Sequence, residues 1–205
     1  MMNTLIRPLL PVLMMPVLIM FCAPVQAVEY LSVRAAQAVL FPEATRFVSR
    51  PLKLERKQLD QILEQAQSSM RTNRWKLWEA RQGDALLGFV MTDAVIGKHE
   101  LFGYAVAFDR QGVVRRVRIM SYLETQGGEV REPAWLRQFE GRHAGSALQL
   151  GKGIDNISGA TLSCRHLTEG IRRLAFYARN HLAVPAAQPV APSSITVSAA
   201  VSVLP

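Results

Sequence analysis

Apolar positions along the chain follow a helical period, then alternate, then return to a helical period. Residues 29–40 (EYLSVRAAQAVL) read as a short helix stopped by Phe41-Pro42, because a residue before proline is pushed out of the helical region. Pro51 precedes a second helix with an apolar stripe of Leu54, Leu59, Ile62, Leu63 and Ala66, and Asn73 marks its expected end. The middle alternates. Trp75, Leu77 and Glu79 share one face of a strand, with Lys76, Trp78 and Ala80 on the other. Gln82-Gly83-Asp84 reads as a hairpin turn, Ala85 to Ile96 as a longer strand, and Gly97-Lys98-His99-Glu100 as a polar connection.

Leu101 to Phe108 is a third strand, Asp109-Arg110-Gln111-Gly112 a turn, and Val113 to Tyr122 a fourth strand. Strict alternation in that strand sets Val113, Arg115, Val117 and Ile119 on one face and Val114, Arg116, Arg118 and Met120 on the other. The face with Arg116 and Arg118 is expected to meet water. A loop, Glu124 to Glu129, precedes a short helix from Pro133 to about Phe139 and a glycine-rich stretch through Gly141, Gly145, Gly151 and Gly153. The last element is a helix from about Leu162 to Leu182, with Leu167, Ile171, Leu174, Ala178 and Leu182 on one face and Arg172 and Arg173 on the solvated side. The expected fold class is α+β, an antiparallel sheet with flanking helices in one compact domain.

The two ends differ from this pattern. Arg7 is the only charge before Glu29, and an apolar run fills Leu9 to Val25. Val25-Gln26-Ala27 has small residues three before and directly before a cut after Ala27, as in a secretory signal peptide. The alternative is an uncut membrane anchor, since the run is near spanning length. Residues 183–205 contain only Ala, Val, Pro, Ser, Gln, Ile, Thr and Leu, and read as a disordered tail. The expected division is therefore a signal peptide at 1–27, a helical segment at 28–72, the functional domain at 73–182 and the tail at 183–205.

Cleavage would leave Cys164 as the single cysteine, which excludes an intrachain disulfide and a cysteine metal cluster. His143, His166 and His181 have no metal-ligand spacing. The formal charge of +8 suits anionic partners. Export makes nucleic acid an unfavoured one.

The chemistry concentrates in Asp155-Asn156-Ile157-Ser158-Gly159-Ala160-Thr161, which leads into the last helix. Gly159 permits close backbone approach and Ala160 adds little bulk. Thr161 or Ser163 is expected to cap the helix, whose free amides and dipole suit a phosphate. Arg165, one turn inside, is a further source of charge. Read from the residues alone, the segment is an anion site or simply a Ser/Thr-rich cap.

The run D-x-x-S-G-A-T at 155–161 resembles the flavinylation motif of the FMN-binding domain family. That family includes the covalent-FMN subunits of the RNF electron-transport complex and of the sodium-pumping NADH:quinone oxidoreductase. The resemblance implies FMN joined through its phosphate to the Thr161 hydroxyl by a flavin transferase. Asp155, Ser158, Gly159 and Ala160 match the other fixed positions. Segments 97–100 and 122–130 look like those of exported single-domain members, and the likeness spans roughly 86–182.

Tyr122, Glu124 and Thr125 precede a glycine loop that can approach the flavin. His99 and Tyr104 are secondary candidates, with a structural hydrogen bond the favoured reading of His99. Cys164 stands where a small polar residue is expected, with an effect on flavin packing or oxidation. Trp75, Trp78 and Trp135 are expected in the core.

The implied function is electron transfer between membrane or periplasmic redox partners, at the extracytoplasmic face of the inner membrane. A flavin-dependent reductase of a small acceptor is the alternative. A non-redox module is disfavoured by the intact motif. A nicotinamide fingerprint and a hydrolase nucleophile elbow are both missing from the sequence.

Overall fold

The computed structural model describes residues 31–52, 54–68 and 75–184. The signal segment, the Asn73 helix stop and the tail beyond 184 lie outside the described residues. Among the described residues, no helix is long and apolar enough to cross a membrane.

Helix α1 spans Val33–Leu40; the Ser32 hydroxyl accepts from the Ala35 amide at 3.2 Å, and Phe41 leaves helical geometry before Pro42. Strand β1 follows at Arg46–Arg50, and helix α2 at Arg56–Gln65. The strand was not foreseen in the region read as helical. Its sequence, RFVSR, is mostly polar because it is a sheet edge, and charged edges resist further pairing. Its arginines pair with the neighbouring strand and the turn after it, Arg50 with Glu79 at 3.3 Å and Arg46 with Asp84 at 3.2 Å.

Strands β2 (Lys76–Gln82), β3 (Ala85–Ile96), β4 (Leu101–Asp109) and β5 (Val114–Ser121) complete an antiparallel meander in chain order, β1-β2-β3-β4-β5. Gly83 and Gly112 adopt left-handed backbone in two of the tight turns. After β5 come a 3-10 turn at Gly128–Arg131, helix α3 at Pro133–Leu136, and the two-residue strands β6 (Gln149–Leu150) and β7 (Gly153–Ile154). Helix α4, Thr161–Tyr177, ends in a wider turn through Leu182. The α+β class and the antiparallel sheet with flanking helices are as expected.

Two apolar layers flank the sheet. On one face, Ala36, Leu40 and Phe41 of the α1 region cover Ala80, Val90, Ala105 and Ala107. Small residues on the strands let the helix approach closely. On the other face, Leu167, Ile171 and Leu174 of α4 and Ala178 of the turn after it pack with Phe89, Met91, Val95, Phe102, Val106 and Phe108. Each such large side chain contributes roughly 1.5–3 kcal/mol when withdrawn from water.

The faces of β5 differ from strict alternation. Ala107 stands opposite Arg116 and Phe108 opposite Val114, so Arg115 is an extra residue in the strand. This bulge brings Val114 into the α4-side core with Val117 and Ile119. It turns Arg115 toward α1, where its guanidinium bonds Glu43 at 2.8 Å and lies 4.7 Å from the Phe41 ring centre. Arg116 donates to the Val39 carbonyl at 3.3 Å. Arg116 and Arg118 are half-buried, beside a face that α1 covers, rather than on an open one.

The expectation for Arg172 and Arg173 also fails. Arg173 is fully buried, with Nη2 3.4 Å from Asp93 Oδ2 and Nη1 donating to Ser68 Oγ at 2.7 Å. Tyr104 donates its hydroxyl to the same Asp93 oxygen at 2.9 Å, and Asp93 Oδ1 accepts from the Ala94 amide at 2.7 Å. Gly170 makes room for this cluster, since a Cβ there would collide with the Tyr104 hydroxyl. Arg172 is half-buried and donates to the Leu148 and Gln67 carbonyls at 3.2 and 3.1 Å. Helical periodicity cannot distinguish a solvated arginine from one paired with a buried carboxylate on another strand.

Truncating Arg173 removes a buried charged partner of Asp93. Arg173→Ala is expected to lower stability by about 3–5 kcal/mol, read from urea denaturation of the two proteins, with Arg116→Ala showing a much smaller loss.

Candidate functional site

Three segments meet at the N-terminus of α4: the turn 97–100 between β3 and β4, the loop 122–128 after β5, and the approach 155–160. Glycines make the meeting close. A Cβ on Gly97 would collide with the Glu124 carboxylate and crowd Ser163 Oγ. Gly127 has a φ of 74°, and a Cβ there would run into Ala160. The left-handed backbone and the contact with Ala160 both require glycine at 127.

Polar groups lock the same junction. Tyr122 donates its hydroxyl to the Gln126 carbonyl at 3.0 Å and lies 3.3 Å from Ser163 Oγ. Burial raises the phenol's proton affinity, outweighing the Ser163 contact, so the group remains a donor near neutral pH. Glu124 Oε1 accepts from the His99 amide at 2.6 Å and the Glu100 amide at 3.0 Å. Burial alone would raise the Glu124 carboxyl; the amides of Glu100, His99 and Lys98 prevail and hold it below its ordinary value.

The helix start is open. Ala160, not Thr161 or Ser163, occupies the cap position, and no side chain caps the helix. Thr161 is the first helical residue, and the amides of the first turn have no acceptor within the helix. Ser163 is turned inward to Tyr122. Gly159 has a φ of 82° and open space where a Cβ would stand, so the backbone before the helix is accessible. Thr161 is half-exposed, and its hydroxyl accepts from Asn156 Nδ2 at 3.1 Å.

Two adjoining hollows flank this point. One, about 350 Å³, is lined by Lys98, His99, Glu124, Thr125, Gln126 and the segment 159–163. Its size falls within the roughly 300–1,000 Å³ of small-molecule sites. Leu162, 40% exposed, gives it an apolar wall. The second, wider hollow of about 540 Å³ shares Thr125, Gln126 and Gly159 and adds Ser158, Arg131 and Glu129. A third hollow of about 340 Å³, bordered by Arg165, Thr168, Glu169 and Arg172, does not include Thr161.

Thr161, Gly159, Ala160, Glu124 and Thr125 therefore line one cleft, and Ser158 lines the adjoining hollow. Asp155 has an exposed side chain outside both; its backbone is tied by the Trp135 indole to its carbonyl at 2.9 Å and by Gln138 to its amide at 2.8 Å. Tyr122 supports the loop from beneath instead of lining the cleft. Tyr104 is buried in the Asp93 cluster, remote in role from any bound ring. Arg165 borders the third hollow, and the cation of the cleft is Lys98. Cys164 is fully buried in the core, and burial raises its thiol's proton affinity, which keeps it unreactive. Trp75 and Trp135 are buried and Trp78 half-buried, as expected.

Asn156, Lys98 and Leu162 are site residues that the sequence did not single out. Asn156 occupies a variable position of the motif, so only its bond to Thr161 reveals it.

The geometry sets an uncapped helix start, with a threonine at its first residue, beside a cleft of about 350 Å³. Residues 97–175 match the model of the family described as FMN-binding domain, and the resemblance is borne out. That span contains the 97–100 turn, the 122–128 loop and the start of α4. No curated protein matches the chain. Among solved structures, one match is the crystal structure of NqrC from Shewanella oneidensis, 17% identical, covering 69% of this chain and 70% of that one, with a TM-score of 0.42.

The Glu124 carboxyl titrates lower in the folded protein than in the unfolded chain. Its stabilisation is present above the unfolded value, about 4.3, and is lost as pH falls through the folded one. Glu124→Gln is expected to flatten the decline of melting temperature below about pH 4.3. Melts of both proteins from pH 3 to 7 check this; parallel curves would contradict it.

Proposed function

We propose that the protein is an exported flavoprotein carrying FMN on Thr161 through a phosphoester, and that it transfers electrons between membrane or periplasmic redox partners. The observation that carries this reading is the half-exposed Thr161, set at an uncapped helix start inside the span that matches the FMN-binding domain and beside a cleft of about 350 Å³. The residues suit the group. First-turn amides and the α4 dipole favour a phosphate ester at Thr161, Lys98 supplies a positive charge, and Leu162 offers an apolar surface for a ring.

Attachment requires a flavin transferase and FAD. Thr161 Oγ forms a bond to the phosphorus of the FMN half, the pyrophosphate bond breaks, AMP leaves, and the hydroxyl proton passes to a base of the transferase. Asn156 Nδ2 orients the threonine oxygen by donating to it, leaving the threonine proton free to depart. Bound FMN supplies one- or two-electron redox chemistry. The chain's own residues fix the tether, wall the cleft and set its charge. A tether suits a compartment where lost flavin is not replaced, and the apolar N-terminal run with its Val25-Gln26-Ala27 site supports export.

One observation favours a second reading, a flavin-dependent reductase of a small acceptor. His99 lines the cleft and lies 3.5 Å from Glu124 Oε2, an arrangement able to deliver a proton. Rapid turnover of a small acceptor by the isolated reduced protein would select the reductase; oxidation only by a redox protein would select the carrier.

Intact mass of the protein coexpressed with a flavin transferase tests the tether. The wild type is expected to gain the mass of FMN less water, and Thr161→Val to gain none. An unmodified wild type, with the transferase active on a control domain, would exclude covalent FMN.

A further inference from the structure

One carboxylate in the cleft holds both the main chain and the side chain of the same histidine. Glu124 Oε1 accepts from the His99 amide at 2.6 Å, and Glu124 Oε2 lies 3.5 Å from His99 Nδ1. The Glu124 side chain is only 7% exposed, whereas that of His99 is 67% exposed. A buried, fixed anion thus orients an imidazole that remains open to water. The amides keep Glu124 ionised through the range in which imidazoles change charge, about pH 5 to 8.

Lys98 also lines the cleft, and Glu124 is the one carboxylate in its lining. Glu100 is exposed on the same turn. On α4, Arg165 borders a different hollow, and His166 Nδ1 lies 2.6 Å from the Ile96 carbonyl. Of the groups lining the cleft, His99 is the one of a class that changes charge near neutral pH.

We propose that His99, positioned by Glu124, is the proton-carrying residue of the FMN cleft. It takes up a proton from water when the flavin gains negative charge and so ties the flavin's potential to pH. The proposal rests on FMN occupying the cleft beside Thr161. Two electrons come from an external donor, dithionite in the experiment below, which is oxidised. Apart from any protons the flavin itself takes up, one proton moves from solvent onto the imidazole, and only that N–H bond forms. The imidazolium faces the Glu124 carboxylate, 3.5 Å from its Nδ1, at the lining of the cleft.

The experiment measures the midpoint potential of the FMN-loaded protein from pH 5 to 9 by following absorbance with mediator dyes. Wild type is compared with His99→Gln, His99→Lys and Glu124→Gln. Where His99 takes up its proton on reduction, the wild type is expected to gain a tenfold change in equilibrium constant per pH unit, about 30 mV for a two-electron couple. His99→Gln loses this added slope. His99→Lys keeps the higher potential at every pH without the slope, and Glu124→Gln moves the slope to lower pH. Loaded wild type and His99→Gln with superimposable curves, or curves separated by a constant offset at every pH, overturn the proposal while leaving the flavoprotein reading intact. No FMN by intact mass or absorbance in any of the proteins overturns both.

Discussion

The Arg173–Asp93 pair holds the last helix to the centre of the sheet, and the candidate site depends on where that helix lies. Both partners are withdrawn from water, and the pair is shared with Tyr104 and Ser68. A buried pair of this kind adds little net stability over a well-packed apolar substitute, because desolvation offsets the attraction. Its effect is on position. Sliding or rotating α4 would strand one charge without the other, a penalty much larger than that of repacking Leu167 or Ile171 against a neighbouring groove. Thr161 lies twelve residues earlier on the same helix, about 18 Å along its axis. A fixed helix phase therefore fixes which side of the first turn faces the cleft.

The other side of the cleft is set by close approach instead of charge. Gly97 and Gly127 allow two loops to touch Glu124, Ser163 and Ala160 at distances that any side chain would forbid. Glu124 then gathers the amides of the 98–100 turn, and Tyr122 ties its own loop to Ser163. These contacts leave the cleft walls polar at the turn and apolar at Leu162, a combination suited to a ligand with a charged phosphate and a flat ring. Cys164 is buried in the first turns of α4, and Tyr104 is buried against Asp93 and Gly170. Neither lines the cleft.

The N-terminal part of the chain contributes to the same body. Strand β1 extends the meander at its edge, and α1 covers the sheet face opposite α4. Without that cover, Val90, Ala105 and Ala107 would meet water, and the strands that carry the 97–100 turn would lose one of their two apolar layers. The bulge at Arg115 completes the arrangement by setting Val114, Val117 and Ile119 of β5 toward the core and an arginine pair on the α1 side.

The sequence by itself determined the order of most elements, the strand turns and the motif at 155–161, because these depend on local period, turn residues and residue spacing. The α4 stripe and the 85–96 strand were legible for the same reason. Strand β1 was not, since an edge strand needs no alternating apolar face. The faces of β5 were not, since one inserted residue reverses the pattern without changing composition. The tertiary structure alone decided that Arg173 is buried, that Ala160 holds the cap position, that Arg165 faces away from the cleft, and that His99, Glu124 and Thr161 line one hollow. Each of these depends on a partner distant in sequence, and pairing across such distances leaves no local signature in the residues that make it.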